Sequence, residues 1–124
     1  MLNKVAPHAA ADIESQYRSI FENAVEGIYQ TTVEGRYLRV NPALARVYGY
    51  ATTDDLIKGL TDIAGQLYVE SKRRDVFKRI MAEQGVVQDF EAQVYRADHS
   101  VIWITENAGC VRSEDGSILY DLSP

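Results

Sequence analysis

The 124-residue sequence is short of the residues that carry most enzyme chemistry. It has one cysteine, Cys110, so no disulfide can form within these residues. It has two histidines: His8 sits in a polar, alanine-rich opening segment and His99 in a turn, and neither has a nucleophile nearby. Two distant histidines and one cysteine do not make a metal site. There is no glycine loop to cradle a phosphate and no His-Glu-x-x-His. No catalytic residue and no metal ligand can be named, and the chain is expected to be non-catalytic. No apolar run approaches the roughly 20 residues of a membrane span. The opening MLNKVAPHAAAD lacks the basic start and apolar centre of a signal peptide. Membrane contact is therefore not expected, and a single cysteine agrees with a reducing cytoplasm. Basic residues are dispersed except for Lys72-Arg73-Arg74, and the net charge is −5. One short basic run reads as a solvated helix face and does not neutralise many phosphates, so nucleic acid is not an expected partner.

What is present is ordinary for a globular domain, with 46% hydrophobic and 25% charged residues. Residues 1–11 are expected to be a flexible tail and 12–124 a single domain. From Asp12 to Ala24, Ile13, Tyr17, Ile20, Phe21 and Ala24 form one apolar helical stripe. The stripe packs on its own domain or on a second copy; the spacing leaves both open. Ile28–Thr32 and Arg36–Val40 read as a hairpin turning at Glu34-Gly35. Asn41-Pro42 is a helix start, with Asn accepting a first-turn N–H and Pro at the first helical position. Gly49 suits a left-handed C-terminal cap. A short helix over Thr52–Lys58 follows, then a linking segment from Leu60 to Leu67. The longest helix spans Val69–Gln84, with Val69, Val76, Phe77, Ile80 and Met81 on one face. Lys72, Arg73, Arg74, Lys78 and Arg79 are assigned to water. Two long strands, Val86–Arg96 and Val101–Arg112, join at Ala97-Asp98-His99-Ser100. Glu114-Asp115-Gly116 turns into a last strand from Ser117.

The order β-β-α-α-α-β-β-β predicts an α+β fold, a five-stranded antiparallel sheet with helices on one face and an N-terminal flanking helix. Gly27-Ile28, Glu34-Gly35-Arg36, Asn41-Pro42-Ala43 and Tyr48-Gly49-Tyr50, in that order, resemble the opening of a PAS domain, or sensory box. The second hairpin, Val101-Ile102-Trp103-Ile104 and Glu114-Asp115-Gly116 resemble its second half. The resemblance covers about residues 12–120. It implies a sensory input module of a bacterial signalling protein, feeding a diguanylate cyclase (GGDEF) or histidine kinase of a two-component system at its C-terminal side. Two departures stand out. His99 occupies a turn position where the family usually has glycine, and Asp121-Leu122-Ser123 arrives early for the family's closing motif. The 124 residues are therefore read as a fragment truncated near the last strand. The resemblance also implies that Gly59–Ala64 would carry an Asn-Cys-Arg-like motif in a flavin sensor, and that a haem sensor would need a histidine on or near 69–84. Neither is present, so no chromophore is expected, and an unidentified small metabolite is the candidate ligand.

Strand alternation leaves two parities for 101–110. By resemblance Trp103 faces away from the cavity, which turns Ile102, Ile104, Glu106, Ala108 and Cys110 inward, with Phe90, Ala92 and Val94 opposite. Glu106 is the residue to notice. A carboxylate at an apolar inward position must be paired, hydrogen-bonded or protonated. It either makes a structural hydrogen bond or anchors a polar or cationic ligand. Tyr29, Tyr48 and Tyr68 border the same cavity by resemblance, with Val47 beside them. Thr31 is a further inward polar group if Leu38 or Val40 does not take that face. The long helix roofs the cavity with Phe77 and Met81. The ligand-binding set is thus Glu106, Tyr29, Thr31, Val47, Tyr48, Tyr68, Phe77, Met81, Phe90, Ala92, Val94 and Ile104. A homodimer interface is expected at Ile13, Tyr17, Ile20, Phe21 and Trp103. A ligand sensor and a ligand-free dimerisation and relay module both remain open. Cys110 reads as a strand filler or a redox-sensitive thiol.

Overall fold

The structure, a computed structural model, describes residues 13, 15–32, 34–109 and 118–123, the last six in backbone only. The expected tail, Cys110, Val111 and the Glu114-Asp115-Gly116 turn lie outside the described residues. A flanking helix, α1, covers residues 15–23. Strands β1 (Ile28–Thr31) and β2 (Tyr37–Val40) follow as an antiparallel hairpin, with Tyr29 opposite Val40 and Thr31 opposite Tyr37. The register shifts between Gln30 and Thr31, so β2 carries one extra residue there. That bulge lets Tyr37 and Val40 both point inward although their numbers differ in parity. It also resolves which side chains share the inner face: Thr31 and Val40 are buried, while Leu38 is exposed.

Helix α2 (Pro42–Val47) begins at Asn41 as expected, with Leu44 N–H donating to Asn41 Oδ1 at 3.0 Å. It ends with Gly49 at φ +80, Tyr50 N–H donating to Ala45 O and Gly49 N–H to Arg46 O. Those two bonds make a Schellman cap. Helix α3 (Thr53–Gly59) is capped by Thr52 Oγ1, which accepts from Asp55 N–H at 3.0 Å. The segment read as a linker contains a π-helical turn, Ile63–Leu67. Helix α4 (Ser71–Gln84) stops at Gly85, in the left-handed region at φ +72. Strands β3 (Val86–Tyr95), β4 (Val101–Gly109) and β5 (Ile118–Ser123) complete a five-stranded sheet in the order β2-β1-β5-β4-β3, every pairing antiparallel.

One expectation for α4 needs correction. Lys72, Lys78 and Arg79 are exposed, but Arg74 is buried and Arg73 partly so. Arg74 shares the inward face with Phe77 and Met81, three and seven residues on. Arg73 lies over the Phe90 ring at 3.8 Å and donates twice to the Glu91 carbonyl, at 3.0 and 2.8 Å. Val69 N–H donates to Gln93 O. Together they occupy carbonyls on the edge strand β3 that another chain would otherwise pair with.

Asn41 does more than cap. It is fully buried. Its Oδ1 also accepts from Ile28 N–H at 2.9 Å, and its Nδ2 donates to Phe21 O at 3.1 Å and Glu26 O at 2.9 Å. One side chain thus joins α1, β1 and α2. Asn41→Ala is expected to cost at least about 3 kcal/mol in urea unfolding, because several buried partners lose their bonds at once. Asn41→Asp keeps the acceptor bonds but loses both donors. It is expected to speed hydrogen exchange selectively in residues 15–23; uniform acceleration over the whole domain would show that Asn41 does not specifically hold α1.

Candidate functional site

The β3–β4 register sets Phe90 opposite Glu106 and Ala92 opposite Ile104. Ile104, Glu106 and Ala108 therefore share the face that the helices cover, and all three are buried. Trp103, on the opposite parity, is 65% exposed, and Val101 is exposed with it. Glu106 itself is only 1% exposed. Tyr29 from β1 donates its hydroxyl to Glu106 Oε2 at 2.6 Å, and Tyr68, between the π-turn and α4, donates to Oε1. Each carboxylate oxygen thus holds a tyrosine proton.

Behind Tyr68 stands Arg74, 3% exposed. Its guanidinium carbon lies 4.6 Å from the Phe77 ring centroid and 5.8 Å from that of Tyr68. Tyr29 and Tyr68 thus hold Glu106 from two sides, with the Arg74 charge behind Tyr68. Beside it, the Tyr37 ring meets Tyr29 edge-to-face at 5.5 Å, and Tyr48 is buried in the same core. Arg74 Nε and Thr31 Oγ1 are buried and have no hydrogen-bond partner among the described residues.

Burial raises the Glu106 pKa above the usual carboxylate range, while the tyrosine hydrogen bonds and the positive charges of Arg74 and Arg73 pull it back. Burial and the Glu106 charge push the Tyr29 and Tyr68 hydroxyls up, so both remain protonated donors. Burial opposes the Arg74 charge, but the tyrosines and Glu106 more than offset it and its pKa ends raised.

Of the residues expected at this site, Tyr29 and Tyr68 touch Glu106 directly. Tyr48, Phe77, Met81, Phe90, Ala92, Val94 and Ile104 lie in the one core cluster around it, and Val47 packs at the margin. Phe77 and Phe90 meet edge-to-face at 5.4 Å. Thr31 is wholly buried. Arg74 and Tyr37 were not anticipated. The helical spacing Arg74-Phe77-Met81 was the available signal for Arg74, hidden by its place in a basic run. Among the dimer candidates, Ile13, Tyr17 and Ile20 are exposed, whereas Phe21 is buried within its own domain and offers a partner little surface. Two hollows, of about 250 and 320 Å³, lie away from the cluster, one lined by Tyr17, Phe21 and Arg39 and the other by Arg73, Gln93 and Trp103.

Tyr68→Phe removes one of the two hydroxyls that hold Glu106 and is expected to cost about 2 kcal/mol or more in urea unfolding, because a buried charged group loses a hydrogen bond. The raised Glu106 pKa also sets a pH signature. Its stabilising effect is complete below the unfolded carboxylate value near about 4.3 and is lost as pH rises through the folded pKa. The stability of Glu106→Gln relative to wild type is therefore expected to improve as pH rises from about 4 to 8; an unchanged difference would mean that burial does not disfavour the Glu106 charge.

Comparison with known proteins agrees with this architecture. The family model described as the PAS fold matches residues 15–120. The sensor histidine kinase TmoS of Ectopseudomonas mendocina is 27% identical over 94 residues, which is 73% of this chain and 9% of that protein. The chain thus spans about a tenth of the curated relative that it matches. A domain of a sensory box sensor histidine kinase/response regulator from Geobacter sulfurreducens is 27% identical, with a TM-score of 0.71 over 90% of this chain and 93% of that one. The PAS domain of an HTR-like protein from Haloarcula marismortui, 19% identical, has the same fold, with a TM-score of 0.69 over 98% of each chain. The chain belongs to the PAS family of sensory domains.

Proposed function

We propose that this PAS domain is the non-catalytic input module of a larger signalling protein, that it reads a small molecule at the polar cluster around Glu106, and that it relays the result to a C-terminal effector. The observation that carries this reading is the cluster itself. A carboxylate and a guanidinium lie 1% and 3% exposed inside a core that is otherwise uncharged. Apolar residues of similar volume usually serve stability as well or better. A few placed polar groups in apolar surroundings suit a ligand site. A metabolite is favoured over flavin or haem because residues 59–64 lack the cysteine motif and residues 69–84 lack a histidine.

Histidine kinase output is favoured over a diguanylate cyclase because TmoS is a sensor histidine kinase and the Geobacter domain comes from another. Relay would be a population shift, with the ligand binding better to one arrangement of sheet and flanking helix. A homodimer is proposed through Ile13, Tyr17 and Ile20 on α1, with Trp103 and Val101 on the open sheet face. The cytoplasm is the proposed location. A ligand-free relay is the second reading, favoured by one observation: the tyrosines already satisfy Glu106 from within.

Native mass spectrometry of the 124-residue chain tests both readings. A retained small mass on a dimer is expected, and a clean apo dimer would favour the relay. Trp103→Glu is expected to weaken dimerisation by about tenfold or more, equivalent to about 1.4 kcal/mol, in analytical ultracentrifugation. A wild-type chain that is monomeric at all accessible concentrations would sink the dimer proposal.

A further inference from the structure

The cluster has a defined chemical imbalance. Among the described residues, Arg74 Nε and Thr31 Oγ1 are buried atoms without a hydrogen-bond partner. Neither side chain reaches bulk water, at 3% and 0% exposed. Thr31 lies on the same strand face as Tyr29, two residues along β1. Each buried polar group without a partner destabilises the fold, so a guest that completed either one would bind with that much advantage.

Charge narrows the guest further. Both Glu106 oxygens already accept tyrosine protons, which is the pattern of an ionised carboxylate. Arg74 lies beside Tyr68, and its positive charge acts on that carboxylate. One positive and one negative charge therefore balance inside the core. An added cation would stand beside Arg74, and an added anion beside Glu106. Either leaves one excess charge buried, which is costly. The unmet demand includes an acceptor for the Arg74 Nε–H, and the surrounding walls, including Phe77, Val94 and Ile104, are apolar.

We infer that the ligand is an uncharged molecule of a few heavy atoms that presents a carbonyl oxygen to the Nε–H of Arg74, as a small ketone, amide or ester does, an assignment that rests on the proposed ligand-sensing role. Glu106, the anchor that the sequence suggests, then acts indirectly, as the negative charge that balances the guanidinium in the core. Arg74 is the contact residue.

Three near-isosteric probes test the class: acetone, acetate and isopropylamine, the last a cation at neutral pH. Proton–nitrogen NMR of the 124-residue chain follows the Arg74 Nε–H signal and the amides of residues 104–108. Acetone is expected to shift the Nε–H signal downfield saturably, with acetate and isopropylammonium binding about tenfold more weakly or worse. Arg74→Lys keeps a cation beside Tyr68 but lacks the Nε donor, and is expected to lose at least about tenfold in acetone affinity, or about 1.4 kcal/mol. Should that variant not fold, the wild-type series alone decides. Acetate or isopropylammonium matching acetone at the cluster would overturn the ligand class and leave the sensing role standing. The same holds if no probe binds but native mass spectrometry retains a bound small molecule. If no probe binds and no mass is retained, the sensing role fails as well.

Discussion

The constraint that shapes this domain is the cost of keeping the Glu106 carboxylate out of water. An isolated buried charge of that kind is not tolerated. The structure meets the cost from three elements that are far apart in sequence. Tyr29 comes from β1, Tyr68 from the segment before α4, and Arg74 from α4 itself. The roof helix is tied to the sheet by Arg73, the neighbour of Arg74, which donates twice to the Glu91 carbonyl, so α4 cannot slide without breaking bonds from a charged group. The apolar contacts around them are interchangeable by comparison, since volume-conserving swaps in a core usually cost less than about 1.5 kcal/mol. The polar contacts of Arg73 and the buried charges of Arg74 and Glu106 therefore set the register between α4 and the sheet, and the hydrophobic cluster fills in around them.

Asn41 plays the corresponding part at the other end of the sheet. Its four side-chain bonds hold the end of α1, the start of β1 and the first turn of α2 to one point. The adjacent packing is equally close. A Cβ on Gly27 would come within 2.8 Å of Leu44 Cδ1 and 3.2 Å of its Cα, so no larger residue fits where β1 passes α2. Arg96 fixes the opposite end of α2 by donating to Val47 O at 3.1 Å, and Ala97 N–H donates to Tyr48 O. A short helix of six residues has little stability of its own. It is held in place at both ends by groups from outside it.

Much of this was legible in the sequence, for identifiable reasons. Strand alternation together with an outward Trp103 placed Ile104, Glu106 and Ala108 inward. Asn41-Pro42, Thr52 and Gly49 announced their caps because capping is local chemistry. What stayed hidden depended on contacts between distant segments. The bulge at Leu38 decides the parity of β2 and is visible only in pairing with β1. The other two bonds of Asn41's amide group, to Phe21 and Glu26, depend on where α1 ends. Arg74 was hidden by composition: three consecutive basic residues suggest one solvated surface, yet a helix turns each by about 100°, so neighbours in a run face different ways. Lys72 is exposed, Arg73 stacks at the margin and Arg74 enters the core.

The position of β5 gives the polar cluster a mechanical consequence. In the sheet, β5 lies between β1 and β4. Tyr120 pairs with Tyr29 on one side and Ala108 on the other, while Leu122 pairs with Glu106. The hydrogen bond from Tyr29 to Glu106 therefore spans β5, joining the two strands that flank it. Anything that changes the length or occupancy of that bond changes the spacing available to β5, whose backbone is bonded to both. Ile28 pairs with Asp121 on β5, and the same residue's N–H is held by Asn41, which also holds α1. Under the proposed sensory role, a guest that moved the Arg74 charge would change how strongly Tyr68 and Tyr29 hold the Glu106 carboxylate. The perturbation would reach β5 and α1 through backbone pairing already in place, without any large movement of the helices. A two-state arrangement of that single clamp is the smallest change that links the interior to both the flanking helix and the last strand.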